Sequence, residues 1–262
     1  MNALRGASTP VPAALRPFIA DIAVLTVTPT AQVLTRAPDS STTLVFRSAP
    51  GSEDEVMVLG PRTAASYHHA DKDVPTAVRL RLHPGWGRAV LGLPIDEITD
   101  QIVSLRELWG ASGRQLASAP SPSGGEAEGF LARLEGVLHA RLSTLSARDE
   151  GQARLAKAAT DELNNATPSH PPLVRDIAHR LNISERQLRD VFTRTVGVSP
   201  KRFACIQRVR TVLRSAGHRP LARLAHEIGY YDQSHMTAEF RTTMGTTPRA
   251  FIAGRRPAPT GC

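Results

Sequence analysis

The sequence has little cysteine, few aromatic residues and no long apolar run. Its two cysteines, Cys205 and Cys262, are too few for a disulfide framework, and neither sits at metal-ligand spacing. A reducing cytoplasm is therefore the expected compartment. No stretch of 18 apolar residues is present to span a membrane, and the start MNALRGASTP lacks the apolar segment of a signal peptide. There is no basic amphipathic helix with bulky apolar anchors, so membrane-surface binding is not expected either. Residues 1–150 contain no cysteine, no Gly-rich phosphate loop, no Ser-His-Asp motif and no zinc motif. The chain is expected not to be an enzyme, and no cofactor is called for.

What is present is unevenly placed charge. The 262 residues carry a net +8. Residues 151–262 hold 18 Lys and Arg against 8 Asp and Glu, a net of +10, whereas residues 1–150 hold 14 against 16. The C-terminal half thus has the electrostatic footprint of a polyanion-binding module.

That half also contains an internal repeat. Val174, Ile177 and Ala178 recur 47 positions later as Leu221, Leu224 and Ala225. With one extra residue at the turn, Ser184, Leu188, Phe192, Gly197, Pro200 and Phe203 return as Asp232, Met236, Phe240, Gly245, Pro248 and Phe251. Each copy predicts an apolar-periodic helix, a tight turn and a second, capped helix. Asn182 and Gly229 stand at the turn, where a left-handed backbone is needed. Ser184 and Asp232 are the expected N-caps, Ser184 opening the capping-box pattern SERQ. The second helices should bury Leu188, Val191 and Phe192, and Met236, Phe240 and Met244. Two helices so joined form a helix-turn-helix. Ser199-Pro200 should start a connecting helix running to about Ser215, roughly 24 Å long at 1.5 Å per residue. Two recognition helices on such a spacer could sit about one DNA turn, roughly 34 Å, apart.

The outward stripes suit DNA. They are Arg186, Arg189, Asp190 and Thr193 in the first copy, and Ser234, Thr237, Ala238 and Arg241 in the second, flanked by Gln233 and His235. Arg, Gln, Ser and Thr side chains can hydrogen-bond base edges in the major groove. A polar stripe is also what any solvated helix shows; the tandem arrangement and basic surroundings favour DNA.

The segments IAHRLNISERQLRDVF, GVSPKRF, IGYYDQSHMTAEFR and GTTPRAF closely resemble the DNA-binding domain of the AraC/XylS family of bacterial transcription regulators, over about residues 153–254. The resemblance implies that the second helix of each copy enters the major groove, through Arg186, Gln187, Arg189 and Thr193 and through Gln233, Ser234, Thr237 and Arg241. Asp190 and Ala238 depart from the pattern, which usually has a basic residue at both places. Asp190 is expected to pair along its own helix with Arg186 or Arg194.

Residues 18–28, 42–46, 56–60 and 74–82 are strand candidates punctuated by Gly and Pro. Residues 83–110 turn partly helical, and Arg79 to Gly110 resembles the N-terminal domain of one AraC-type subgroup. The expected fold class is therefore α+β: a β-rich, cupin-like or related domain over residues 1–116, then an all-α domain with two helix-turn-helix units over 151–254. Residues 117–129 read as a linker or loop, 152–166 as the first helix of the DNA-binding domain, and 255–262 as a disordered tail. Residues 130–146 have helical apolar spacing and read either as a dimerisation helix or as a helix packed on its own domain. His68, His69 and His83 lack the Glu of the usual cupin metal pattern and are read as ordinary histidines; no metal site is expected. Trp86 and Trp109 are read as core rather than as an effector pocket.

Together these features predict a sequence-specific regulator of transcription that binds double-stranded DNA, and the resemblance implies control by a small-molecule effector in the N-terminal domain. Further partners implied are a second copy of the chain through residues 130–146 and RNA polymerase. The alternatives are a constitutive DNA-binding regulator whose N-terminal domain only dimerises or binds a protein, and an enzyme carrying an AraC-type module.

Overall fold

The computed structural model describes residues 4–27, 30–48, 54–70, 76–117, 126–165 and 172–259. The N-terminal part contains β1 (Leu4–Thr9), β2 (Ile19–Val27), β3 (Thr30–Arg36), β4 (Thr43–Ser48), β5 (Glu55–Leu59), β6 (Ser66–Ala70), β7 (Thr76–Leu82) and β8 (Ile102–Ser104). Six strands form one sheet in the order β1-β2-β7-β4-β5-β8, and β3 pairs with β6 in a second. Every pairing within these two sheets is antiparallel. The four strand candidates are present as β2, β4, β5 and β7. The other four strands were not foreseen.

Helix α1 (Trp86–Leu91), a 3-10 turn (Ile95–Ile98), α2 (Leu105–Trp109) and α3 (Ala111–Ala117) follow β7, with β8 between the 3-10 turn and α2. Their apolar residues close over the sheet: Leu44, Val58, Leu80, Val90, Ile95 and Leu105 are fully buried together. Trp86 stacks edge-on against Phe18 at 4.7 Å, and Trp109 lies under the Arg141 guanidinium at 4.5 Å. Both tryptophans are core.

Helix α4 (Glu126–Leu142) begins inside the segment read as a linker; residues 118–125 lie outside the described residues. Leu134 and Leu138 are fully buried in the core of the β-rich domain, and Leu131 nearly so. Of the two readings of this apolar face, the structure shows the one in which it packs on its own domain. The helix folds back onto its own sheet domain, because that domain's own apolar surface is the nearest cover for the leucines.

The remaining helices are α5 (Ala147–Asn164), α6 (Val174–Arg180), α7 (Glu185–Val196), α8 (Pro200–Ser215), α9 (Leu221–Ile228), α10 (Gln233–Met244) and α11 (Pro248–Ile252). Helix α5 starts five residues earlier than the expected 152, because Ser146 caps it by accepting the Asp149 N–H. Two small cores repeat the sequence repeat. One gathers Ile177, Ala178, Leu188, Phe192 and Phe203; the other gathers Leu224, Ala225, Met236 and Phe240, with Phe251 against it. Phe192 meets Phe203 edge to face at 5.6 Å, and Phe240 meets Phe251 in the same way at 6.0 Å.

Candidate DNA interface

Helices α7 and α10 are the second helices of the two units, and each has 12 residues. Ser184 Oγ accepts the Gln187 N–H, and Asp232 Oδ1 accepts the His235 N–H. Asn182 and Gly229 take positive φ of 54° and 86° at the turns, and Gly197 and Gly245 end the helices at 88° and 66°. A side chain rarely tolerates those angles, which accounts for Asn or Gly at each place.

One face of each helix is buried and the opposite face is open. Arg186, Gln187, Arg189 and Asp190 are exposed and Thr193 half-buried. On α10, Gln233, Ser234, His235, Ala238 and Arg241 are exposed and Thr237 half-buried. All eight anticipated contact residues thus lie on the two solvent-facing stripes. The first stripe is partly self-paired. Arg189 is held by Glu185, and Arg194 Nε lies 3.3 Å from Asp190 Oδ1, one of the two intrahelical pairings expected for Asp190. Such exposed pairs are worth little and can be exchanged for phosphate or base contacts. Arg186 and Arg241 pair with no described carboxylate.

Tyr231 is 92% exposed, directly before the Asp232 cap. It was missed in the sequence, where no spacing sets its exposure apart from that of neighbouring Tyr230. An aromatic ring exposed beside α10 can lie against an apolar group such as a thymine methyl.

The connecting helix α8 is rigidly tied to the second unit. Arg208 pairs with Glu239, which also accepts the Tyr230 hydroxyl at 2.8 Å. Burial and the Glu239 charge push the Tyr230 phenol up, so it stays a donor. Burial also raises the Cys205 thiol on α8, leaving it a packed apolar group.

The β-rich domain grips this helical domain at several points. Thr99 Oγ1 donates to the Gly197 carbonyl at 2.6 Å, at the C-terminal end of α7. Tyr67 Oη donates to the Met244 carbonyl at 2.6 Å, at the C-terminal end of α10, and the Ala65 N–H donates to the Thr243 carbonyl at 2.8 Å. Between them, Gln207 and Arg210 of α8 bind Ser40 and Asp39. Arg88 of α1 bonds Gln152 of α5 at 2.9 Å. None of these contacts was anticipated.

Burial and the positive Arg36 and Arg62 depress His68, and burial and Lys157 depress His83. Among the described residues, no group of three His, Cys, Asp or Glu is close enough to hold a metal ion, and no helix is long and apolar enough to cross a membrane.

Comparison with known proteins matches residues 177–254 to a family described as a helix-turn-helix domain. The chain is 30% identical over 83 residues to a protein of Streptomyces antibioticus described as an AraC-like transcription regulator. The matched segment is 31% of this chain and only 27% of that protein's length. Among solved structures, an AraC-type DNA-binding-domain protein from Chromobacterium violaceum is 20% identical, with a TM-score of 0.37 over 40% of this chain and 96% of its own. ToxT from Vibrio cholerae is 10% identical, with a TM-score of 0.40 over 100% of this chain and 97% of its own.

Proposed function

We propose that residues 177–254, which match a helix-turn-helix family, form an AraC-type DNA-binding domain, and that the chain is a sequence-specific, double-stranded-DNA-binding regulator of transcription. The observation that carries this reading is the pair of equally capped, equally long helices α7 and α10. Each shows DNA-compatible side chains on its open face, in a half of the chain with net +10. In this reading Arg186, Gln187, Arg189 and Thr193 meet one stretch of major groove, and Gln233, Ser234, Thr237 and Arg241 meet the next. The surplus Lys and Arg displace counterions from the phosphates.

Control by a small-molecule effector is the second part of the proposal. A cleft of about 450 Å³ opens between the 3-10 turn Ala13–Leu15, before β2, and helix α4. Leu15, Phe18 and Leu142 make it largely apolar, and Glu135 and His139 stand at its edge. That size and mixture suit a small, mostly apolar molecule with one polar end. Helix α4 runs through a short turn into α5, the first helix of the DNA-binding half, so occupancy could alter how the halves meet. A ligand acts this way only by binding one arrangement better than another.

Selection from random duplexes tests the first part: the full chain should enrich one bipartite sequence. No enrichment at low salt would contradict it. Thermal-shift screening of the full chain against metabolites tests the second, with Gly136→Leu, whose side chain would enter open space at the cleft, as the variant that occupies it.

A further inference from the structure

The grip of the β-rich domain on the helical domain follows the internal repeat. Thr99 Oγ1 reaches the carbonyl of Gly197, the residue that ends α7. Tyr67 Oη reaches the carbonyl of Met244, one residue before Gly245, which ends α10. Gly197 and Gly245 are equivalent in the repeat, so one domain holds the same end of both recognition helices. Carbonyls in the last turn of a helix have no partner within the helix, which makes them natural handles for an outside donor. The fit at the first handle is close: a Cβ on Gly197 would lie 2.7 Å from both Ile95 and Pro61. Burial raises the Tyr67 phenol, keeping it protonated and donating.

Helix α8 alone leaves joints at both ends. The chain passes through left-handed Gly197 to enter α8 and through exposed Gly217 to leave it. The second joint is stiffened by the Arg208–Glu239 pair between α8 and α10. The first joint is held from within by the Phe192–Phe203 contact, and from outside by Thr99 and by the packing of Pro61 and Ile95 on Gly197.

We propose that Thr99 and Tyr67 are positioning residues, through which the β-rich domain fixes the separation of the two recognition helices and so the half-site spacing that the chain accepts. The proposal rests on the DNA-reading function above. The β-rich domain then acts as a ruler for the DNA-binding half: it touches no base, yet it narrows the set of sites bound.

The test uses the full chain and the duplex selected by the wild type, together with versions whose two halves are moved apart or together by one or two base pairs, and a version with one half scrambled. Tyr67→Phe and Thr99→Val each remove one hydroxyl at nearly constant volume. Each is expected to lower the preference for the selected spacing by about fivefold, the weight of one ordinary hydrogen bond. Binding to the single half should be unchanged, and Thr99→Ser should restore the wild-type profile. Melting temperature is recorded for every variant. A merely structural role would lower melting and weaken all duplexes alike, which overturns the proposal. An unchanged spacing profile in the folded double variant carrying both Tyr67→Phe and Thr99→Val overturns it as well. If the wild type selects no sequence, the DNA-reading function itself fails, and the proposal with it.

Discussion

Arg210 of α8 and Asp39 of the β-rich domain form an ion pair across the two halves of the chain, with Nη1 2.9 Å from Oδ2. Asp39 is shared with Arg81 on β7, also at 2.9 Å, and accepts the Ser41 N–H. Burial by itself would raise this carboxyl, but Arg81, Arg210 and the Ser41 donors outweigh it and hold it below the ordinary range. A carboxyl depressed in the folded state stabilises above its unfolded pKa, near 3.9, and that contribution is lost as pH falls through the folded value. The Asp39 contribution to docking should therefore be constant from pH 8 down to 5 and be lost only in stronger acid, whereas the depressed His83, beside Lys157 of α5, removes stability separately as pH falls below about 6.5. Asp39→Asn should lower stability by about 2 kcal/mol at neutral pH, since Arg210 loses its carboxylate and Arg81 loses the nearer of its two, Asp21 standing at 3.8 Å. It should also reduce the acid-dependent part of the loss. Melting curves from pH 3 to 8 for both proteins check this.

The two reading helices should differ in weight. Arg186 is exposed, pairs with no described carboxylate and can grip guanine with two hydrogen bonds. Arg186→Ala and Arg189→Ala are each expected to cost about 1–3 kcal/mol at the selected site and to relax specificity there. Ser234→Ala should cost less. Titrations at one fixed salt concentration compare them; equal losses would contradict the asymmetry.

Gly197 and Gly245 are a matched pair for separating backbone strain from domain contact. Both have positive φ, 88° and 66°. A Cβ at Gly245 would meet only Pro257, at 3.4 Å, whereas one at Gly197 would strike Ile95 and Pro61. Gly245→Ala should cost about 1 kcal/mol from the left-handed conformation alone. Gly197→Ala should cost about 1–3 kcal/mol more, from forced repacking against the β-rich domain. Chemical denaturation of the two variants measures the difference.

Leu134 is fully buried against the sheet. Leu134→Ala should destabilise the β-rich domain by about 2–5 kcal/mol. Its signature is a lower melting temperature that does not depend on protein concentration. A concentration-dependent effect, with dissociation in sedimentation, would restore the dimerisation reading of helix α4.

How much of this was legible depended on range. The repeat, the caps Ser184 and Asp232, the turn residues Asn182 and Gly229 and the apolar faces of α7 and α10 are local patterns, and each has a periodicity or a φ requirement that the sequence displays. Strands β1 and β3 were missed because LRGAST and TAQVLTR are short, largely polar and interrupted by weak strand formers. The periodicity of α4 revealed an apolar face without naming what covers it, so the choice between a partner subunit and its own sheet stayed open. The Thr99–Gly197 and Tyr67–Met244 contacts left no mark at all. A hydroxyl bonded to a carbonyl 98 or 177 positions away has no pattern to read.

The most direct measurement is a salt titration of the full chain on the duplex it selects, beside a scrambled duplex of equal length. Lys and Arg on phosphates release condensed counterions, so the logarithm of affinity should fall linearly and steeply with the logarithm of salt concentration on both duplexes. The selected duplex should remain tighter throughout, by about a thousandfold or more. Affinity that ignores salt, or equal affinity for the two duplexes at every salt concentration, would contradict a sequence-reading role for α7 and α10.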